Sequence, residues 1–295
     1  MLSRAKPLLL VACLLSLFTG RNTDTLGATP KARTYGDPIK HGDLENEKII
    51  ESSGLAASRK FPGRFWTHND SGNKPRLYAF NRKGQHLGTS KIKNAKCDDW
   101  EDLAIANING VSTLIIGDIG NNTRRRDELS IYFADEPENP KKDIKVSRKI
   151  DLTWDGEPFD SEALAYDEQT QEFFLFEKKL GLGNRVFRFT FDPRKMKQTV
   201  KAQVIGTLNI PMITAADISS DGKRLAICTY LNGFLFTRKA GETWQKAFRG
   251  DAEIVTLPAR RQGETICFGP NDSLFLTSEK RPTPFFEIRL SANNK

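Results

Sequence analysis

Histidine, cysteine and methionine are scarce in this chain: 3 His, 4 Cys and 3 Met among 295 residues. No two cysteines form a C-x-x-C pair and the histidines, His41, His68 and His86, do not cluster. A zinc ribbon, a zinc finger and a disulfide-stapled scaffold are thereby excluded. H-E-x-x-H, G-x-S-x-G and P-loop motifs are missing, and Gly181-Leu182-Gly183 lacks the third glycine and opening helix of a dinucleotide fingerprint. Neither a nucleotide nor a redox cofactor is expected. No apolar run reaches the roughly 20 residues of a membrane-crossing helix. A sustained 3.6-residue period is also lacking, which argues against a helical bundle.

What is present describes a globular protein. Hydrophobic residues make up 38% and charged residues 28%, with 19 Phe and 4 Trp, so disorder and a collagen-like fold are excluded. A chain this long buries on the order of 75% of its unfolded surface without needing staples. Its 45 basic against 37 acidic residues give a net charge of +8. The basic runs Arg124-Arg125-Arg126, Lys141-Lys142 and Arg260-Arg261 read as solvated surface, and no nucleic-acid partner is expected.

Arg4 and Lys6 precede an apolar run over residues 8–18, followed by Thr19 and Gly20. That order of charge and then grease is the pattern of a secretory leader. The expected organisation is a signal peptide over 1–20, a solvated linker or arm over 21–46 and a folded domain over 47–295. The mature protein is expected to be secreted or periplasmic, without a transmembrane span, and monomeric. Losing the leader removes Cys13 and leaves Cys97, Cys228 and Cys267, an odd number, so at least one thiol is unpaired.

The body repeats itself. Five segments share a polar residue, an apolar strand, a turn and a second apolar strand. Taking Leu55, Leu103, Leu164, Ile218 and Ile266 as marks, the repeats are 48, 61, 54 and 48 residues apart. Such periods belong to propeller-like arrays rather than helical solenoids. Pro62-Gly63, Asn109-Gly110, Asp221-Gly222 and Pro270-Asn271-Asp272 supply the turns. The expected fold is all-β: a single β-propeller of five to six four-stranded blades. The last repeat is short, and an N-terminal strand near residues 46–50 is expected to complete it and remove the open edge.

In an antiparallel pair, the start of the first strand lies beside the end of the second. The polar residues there converge on one mouth. Asp98-Asp99-Trp100-Glu101-Asp102, Asp160-Ser161-Glu162 and Gln262-Gly263-Glu264 precede or open first strands. His68-Asn69-Asp70, Asp118-Ile119-Gly120-Asn121, Glu177-Lys178, Thr229-Tyr230 and Ser278-Glu279 follow second strands. Asp70-Ser71-Gly72-Asn73 and Asp118-Ile119-Gly120-Asn121 share the pattern D-x-G-N at one offset, 15 residues after Leu55 and Leu103. Converging carboxylates require raised pKa values or a neutralising cation, and Lys178 supplies part of that charge. A hard cation with oxygen ligands, Ca2+ or else Mg2+, fits the remainder, with Asp118, Asn121, Asp160 and Glu162 as candidate ligands. His68, Glu101 and Glu162 are the candidate proton-transfer residues. Asn69, Asp70, Trp100, Lys178, Thr229, Tyr230, Gln262, Glu264 and Glu279 are candidate ligand contacts.

Glu51-Ser52-Ser53-Gly54-Leu55-Ala56, Trp66-Thr67-His68-Asn69-Asp70-Ser71-Gly72, Asp99-Trp100-Glu101-Asp102 and Gly117-Asp118-Ile119-Gly120-Asn121 resemble a family of exported bacterial propeller proteins. So do Asp160-Ser161-Glu162-Ala163-Leu164, Arg261-Gln262-Gly263-Glu264 and Ser278-Glu279. The family is described as WD-repeat-like or TolB-like, its propeller as six-bladed and its activity as unassigned. This chain departs from it with Asn121 in place of Asp and with Ala216-Asp217 where D-G is common. A fainter similarity, through Asp160-x-Glu162 and Gln262-Gly263-Glu264, runs to phytase-associated esterase-like propellers. Two functions compete. One is a calcium-assisted hydrolase of a small ester, lactone or phosphoester, in which a mouth carboxylate or His68 activates water. The other is a non-catalytic module binding a sugar, peptide or protein partner, with Trp66, Trp100 and Tyr230 as stacking faces. A glycosidase using two mouth carboxylates is a third reading.

Overall fold

In a computed structural model of the chain, the described residues are 34–291. The expected leader and the first half of the expected arm, residues 21–33, fall outside them. The described part is nearly all β, with one four-residue helix, α1 (Trp244–Ala247).

Strand β1 (Tyr35–Asp43) comes first. Four antiparallel meanders follow: β2 (Ser52–Ala57), β3 (Arg64–Asn69), β4 (Arg76–Asn81) and β5 (His86–Lys93); β6 (Trp100–Ile108), β7 (Val111–Asp118), β8 (Leu129–Asp135) and β9 (Ile144–Trp154); β10 (Ser161–Asp167), β11 (Glu172–Glu177), β12 (Asn184–Thr190) and β13 (Lys197–Leu208); and β14 (Ile213–Ile218), β15 (Arg224–Thr229), β16 (Asn232–Thr237) and β17 (Glu253–Thr256). β18 (Cys267–Phe268), β19 (Leu274–Leu276) and β20 (Pro284–Leu290) make three strands of a fifth unit. β1 pairs antiparallel with β20 and supplies its fourth strand. The completing strand is therefore residues 35–43, inside the stretch expected to be a linker, and not residues 46–50. The latter form turns, because Asn46 folds back to accept from the amides of Lys48 and Ile49. Fourth strands also meet edge to edge: β5 and β13 each pair parallel with β9.

Burial follows from how the sheets stack. The first strand of each unit lies beside that of the next, and β18 lies beside β2. Five apolar clusters fill the gaps between neighbouring sheets. Trp66 and Trp100 meet between the first and second units, Phe133 and Phe173 between the second and third, and Phe176 and Phe236 between the third and fourth. Cys228 and Ile266 meet between the fourth and fifth, and Phe65 and Phe275 between the fifth and first. Strands with sheets on both faces read as apolar runs rather than as alternation, and β2 and β10 are buried at every position. Truncating one of these rings costs about 3–5 kcal/mol. Cys97, Cys228 and Cys267 are all free.

Two carboxylates bind the first strands to one another. Asp102 Oδ2 accepts from Leu164 N at 2.9 Å and from Ala216 N at 3.1 Å, so one side chain of β6 reaches β10 and β14. Asp217 Oδ2 accepts from Phe268 N at 2.8 Å, joining β14 to β18.

Candidate functional site

Each first strand enters its sheet through a β-bulge. The register skips Ser53 between Ser52 and Gly54, Glu101 between Trp100 and Asp102, Glu162 between Ser161 and Ala163, and Thr214 between Ile213 and Ala215. Glu264 is the equivalent residue in the fifth unit: Thr265 faces Thr277, while Gln262 O accepts from Glu279 N. A bulge bends its strand and re-aims the extra side chain, and here it aims them at a shared space. The bulges also correct the repeat. The fourth unit's equivalent of Leu164 is Ala216 and not Ile218, two residues from the expected mark.

Asp70, Lys178 and Tyr230, directly after second strands, and Glu279, three residues after β19, face the same space in four units. The resulting cluster holds six carboxyl groups: Glu162, Glu264 and Glu101 act on the Lys178 ammonium, Asp70 and Asp99 adjoin Glu101, and Glu279 adjoins Glu264. Lys178 Nζ pairs with Glu162 Oε1 and lies 3.0 Å from the Tyr230 hydroxyl. That hydroxyl donates to Glu264 Oε1 at 2.7 Å, and Glu264 in turn shares a hydrogen bond with Glu279. Glu162 Oε2 is buried without a hydrogen-bond partner.

Crowding and dehydration set the electrostatics. Burial, followed by repulsion from Glu162, Asp70 and Asp99, holds Glu101 well above the usual carboxylate range. Burial raises Glu162 to about 8, against the lowering pull of Lys178. Asp99 rises to about 6 through burial and then Asp70, and Glu264 rises well above its ordinary value through burial and then Glu279.

Asp70, Asp99 and Glu101 come closest together, each offering an oxygen within 4.8 Å of the others. Two ligands on opposite sides of one Ca2+, at roughly 2.4 Å each, stand about that far apart. The gap exists because residue 120 is glycine: a Cβ there would lie 2.4 Å from Asp99 Oδ2 and from Glu101 Oε1. This buried acidic triad could hold a metal ion.

The structure separates several residues that the sequence reading grouped. Asp118 is fully buried inside its own unit, bonded to Arg126 at 2.9 Å and to the amides of Asp98 and Asp99. Asn121 spends its side chain on Arg125 N, Arg126 N, Arg126 O and Phe159 O, holding a loop. Asp160 accepts from Asn121 N at 2.7 Å and sits at the edge of the cluster. Of the four expected metal ligands, only Glu162 lies in the cluster, and there it meets Lys178. His68 has no exposed surface, packs edge-on to Trp100 and is pushed down to about 4 by burial. A Cβ at Gly54 would fall 2.4 Å from its Nε2, so glycine is what admits the ring between two sheets. Trp100 donates to Lys96 O and Trp66 to Glu136, both inside the core, and neither offers a stacking face. Asn69 ties down Lys48, Ile50 and Glu51 through their backbones. Thr229 caps the turn to Asn232, and Gln262 contributes its carbonyl to Glu279 N. Asp70, Lys178, Tyr230, Glu264 and Glu279 gather as neighbours. Asp99 and Gly120 had no role assigned from sequence; the signal available was that both belong to clusters already singled out.

No protein-family model matches the chain, and no curated protein does. Among solved structures it is similar to a gluconolactonase from Xanthomonas campestris, at 10% identity and TM-score 0.49, over 86% of this chain and 89% of that one. It is also similar to a chain of a nidogen–laminin complex, at 9% and 0.47, over 78% and 73%. A third is Raptor from Chaetomium thermophilum, at 11% and 0.48, over 88% and 30%. Likenesses at this level carry no argument about what the chain does.

Proposed function

We propose that the five sheets are the blades of one propeller, completed by β1, and that its acidic mouth is a cation-assisted hydrolase site for a small ester or lactone. The observation that carries this is the convergence of Asp70, Asp99 and Glu101 on a gap that only glycine at 120 leaves open. A divalent cation held by those three carboxylates would polarise the scissile carbonyl and stabilise the negative charge that develops there. Above about pH 8, where Glu162 is ionised, its Oε2 is unengaged while Oε1 meets Lys178, and Oε2 accepts the proton of the attacking water. The water oxygen bonds to the acyl carbon, the acyl C–O bond breaks, and the proton passes to the leaving oxygen. Lys178, held by Tyr230, orients Glu162 and supplies a donor close to the reacting atoms. Calcium is the first candidate and magnesium the second, because oxygen ligands at this spacing suit the larger ion. Export through a leader over 1–20, monomeric action and a small-molecule partner complete the proposal. The sugar-binding alternative loses its main support with Trp66 and Trp100 buried.

Calcium titration after EDTA dialysis, run beside a lactone and ester hydrolysis panel, tests the reading. Saturable uptake and hydrolysis, both lost in Glu101→Gln, are expected. Absence of both from the wild-type protein overturns it.

A further inference from the structure

The loops that follow the second strands differ around the mouth. In the first, second and fifth units they are polar: Ser71-Gly72-Asn73-Lys74, Asn121-Asn122-Thr123-Arg124 and Lys280-Arg281-Pro282. In the third and fourth they hold out Leu180, Leu182 and Leu231, which are 67%, 66% and 71% exposed. Leu180 stands two residues after Lys178, and Leu231 directly follows Tyr230. The 3.0 Å contact between the Lys178 ammonium and the Tyr230 hydroxyl brings the two loops together. Met212 joins them from the next connection, its amide donating to Lys179 O at 2.8 Å. One side of the mouth is thus the acidic triad of the first and second units. The other carries three exposed leucines in the loops that follow Lys178 and Tyr230.

We infer that the substrate is an ester or lactone bearing an aliphatic chain, its carbonyl over the carboxylate cluster and its chain along Leu180, Leu182 and Leu231. The inference rests on the hydrolase reading of the same mouth. A wholly polar substrate gains nothing from three leucines held in water, whereas a chain laid across them removes apolar surface of both partners from solvent. The three leucines sit in two short loops that follow Lys178 and Tyr230, which suits a chain of several methylenes.

The test is a series of γ-butyrolactone, γ-hexalactone, γ-octalactone and γ-decalactone with calcium, comparing wild type with the triple variant Leu180→Ser, Leu182→Ser, Leu231→Ser. In the wild type, kcat/KM is expected to rise about twofold per methylene, mostly through KM. In the variant, the ratio of γ-decalactone to γ-butyrolactone falls about tenfold. Equal slopes in the two proteins, or a flat wild-type series, overturn the inference. Hydrolysis of no lactone by either protein removes the hydrolase reading instead, and γ-decalactone binding by calorimetry then decides. Binding weakened about tenfold in the variant upholds a chain-binding rim, and equal or absent binding overturns it.

Discussion

Asp70-Ser71-Gly72-Asn73 and Asp118-Ile119-Gly120-Asn121 share three letters in four and the same distance from a marker leucine, yet they do different work. Asp70 stands in the acidic triad; Asp118 is locked within its unit against Arg126. The cause is the length of the preceding hairpin. Leu55 pairs with Thr67, but Leu103 pairs with Ile116, one residue farther along the chain. Equal offsets then fall out of register: Asp118 answers structurally to Asn69, while Gly120, whose amide donates to Asp99 O as that of Asp70 donates to Glu51 O, answers to Asp70. A slip of one residue in a strand sends a side chain to the opposite face. The glycines diverge as well. Gly72 has a φ of 74° with open space around it, whereas Gly120 is needed for the room it leaves between Asp99 and Glu101.

The contrast can be broken most directly at Asp118. Asp118→Ala removes a buried carboxylate that accepts from Arg126 and from the part-buried amides of Asp98 and Asp99, and a loss of about 3–5 kcal/mol is expected. Calorimetry should show Tm falling on the order of 10 °C; a Tm within the error of wild type would make the two aspartates equivalent after all. Asp70→Asn is expected to act in the opposite sense, with Tm nearly unchanged and calcium affinity in titration reduced by on the order of a hundredfold. Gly120→Ala should weaken calcium binding about tenfold by pushing Asp99 and Glu101 apart, while Gly72→Ala costs about 1 kcal/mol of stability and leaves the binding isotherm alone. Matching isotherms for the two alanine variants would remove the cradle.

The smallest effect is in pH. Glu162 keeps its proton to about 8 in the fold, whereas the unfolded chain releases it near the ordinary 4.5. The native state binds more protons between those limits, so stability declines as pH rises through them. In EDTA, Tm is expected to drift downward across that window, Asp99, Glu101 and Glu264 adding to the same drift, and to fall less steeply in Glu162→Gln. An upward drift would contradict the burial of that carboxyl.

The repeat was legible because alternating turns and apolar strands recur at a near-constant interval, and the acidic residues at first-strand starts, Glu101, Glu162 and Glu264, were legible as a series. The mark at Ile218 failed because Ala216-Asp217 replaces the usual aliphatic residue, and an aliphatic count cannot see a bulge. His68 and Trp100 looked like mouth residues because their neighbours are polar. With sheets on both faces of a strand, however, each orientation leads into the core, and sequence position beside a polar cluster does not decide which way a ring turns. Sequence alone points past the completing strand because β1, with Gly36, Asp37, Pro38 and Lys40, has the composition of a linker. Its strand character comes from β20, which offers it an edge.

Asp102 has a bearing on how such a molecule can change over generations. A carboxylate that answers amides on two other strands ties the fates of three repeats to one side chain. Deleting or duplicating a repeat would leave that oxygen facing the wrong neighbour in a place water does not reach. The order of the second, third and fourth repeats is thus held by chemistry where their first strands meet, and divergence is channelled into the loops, where leucines can replace asparagines at little cost.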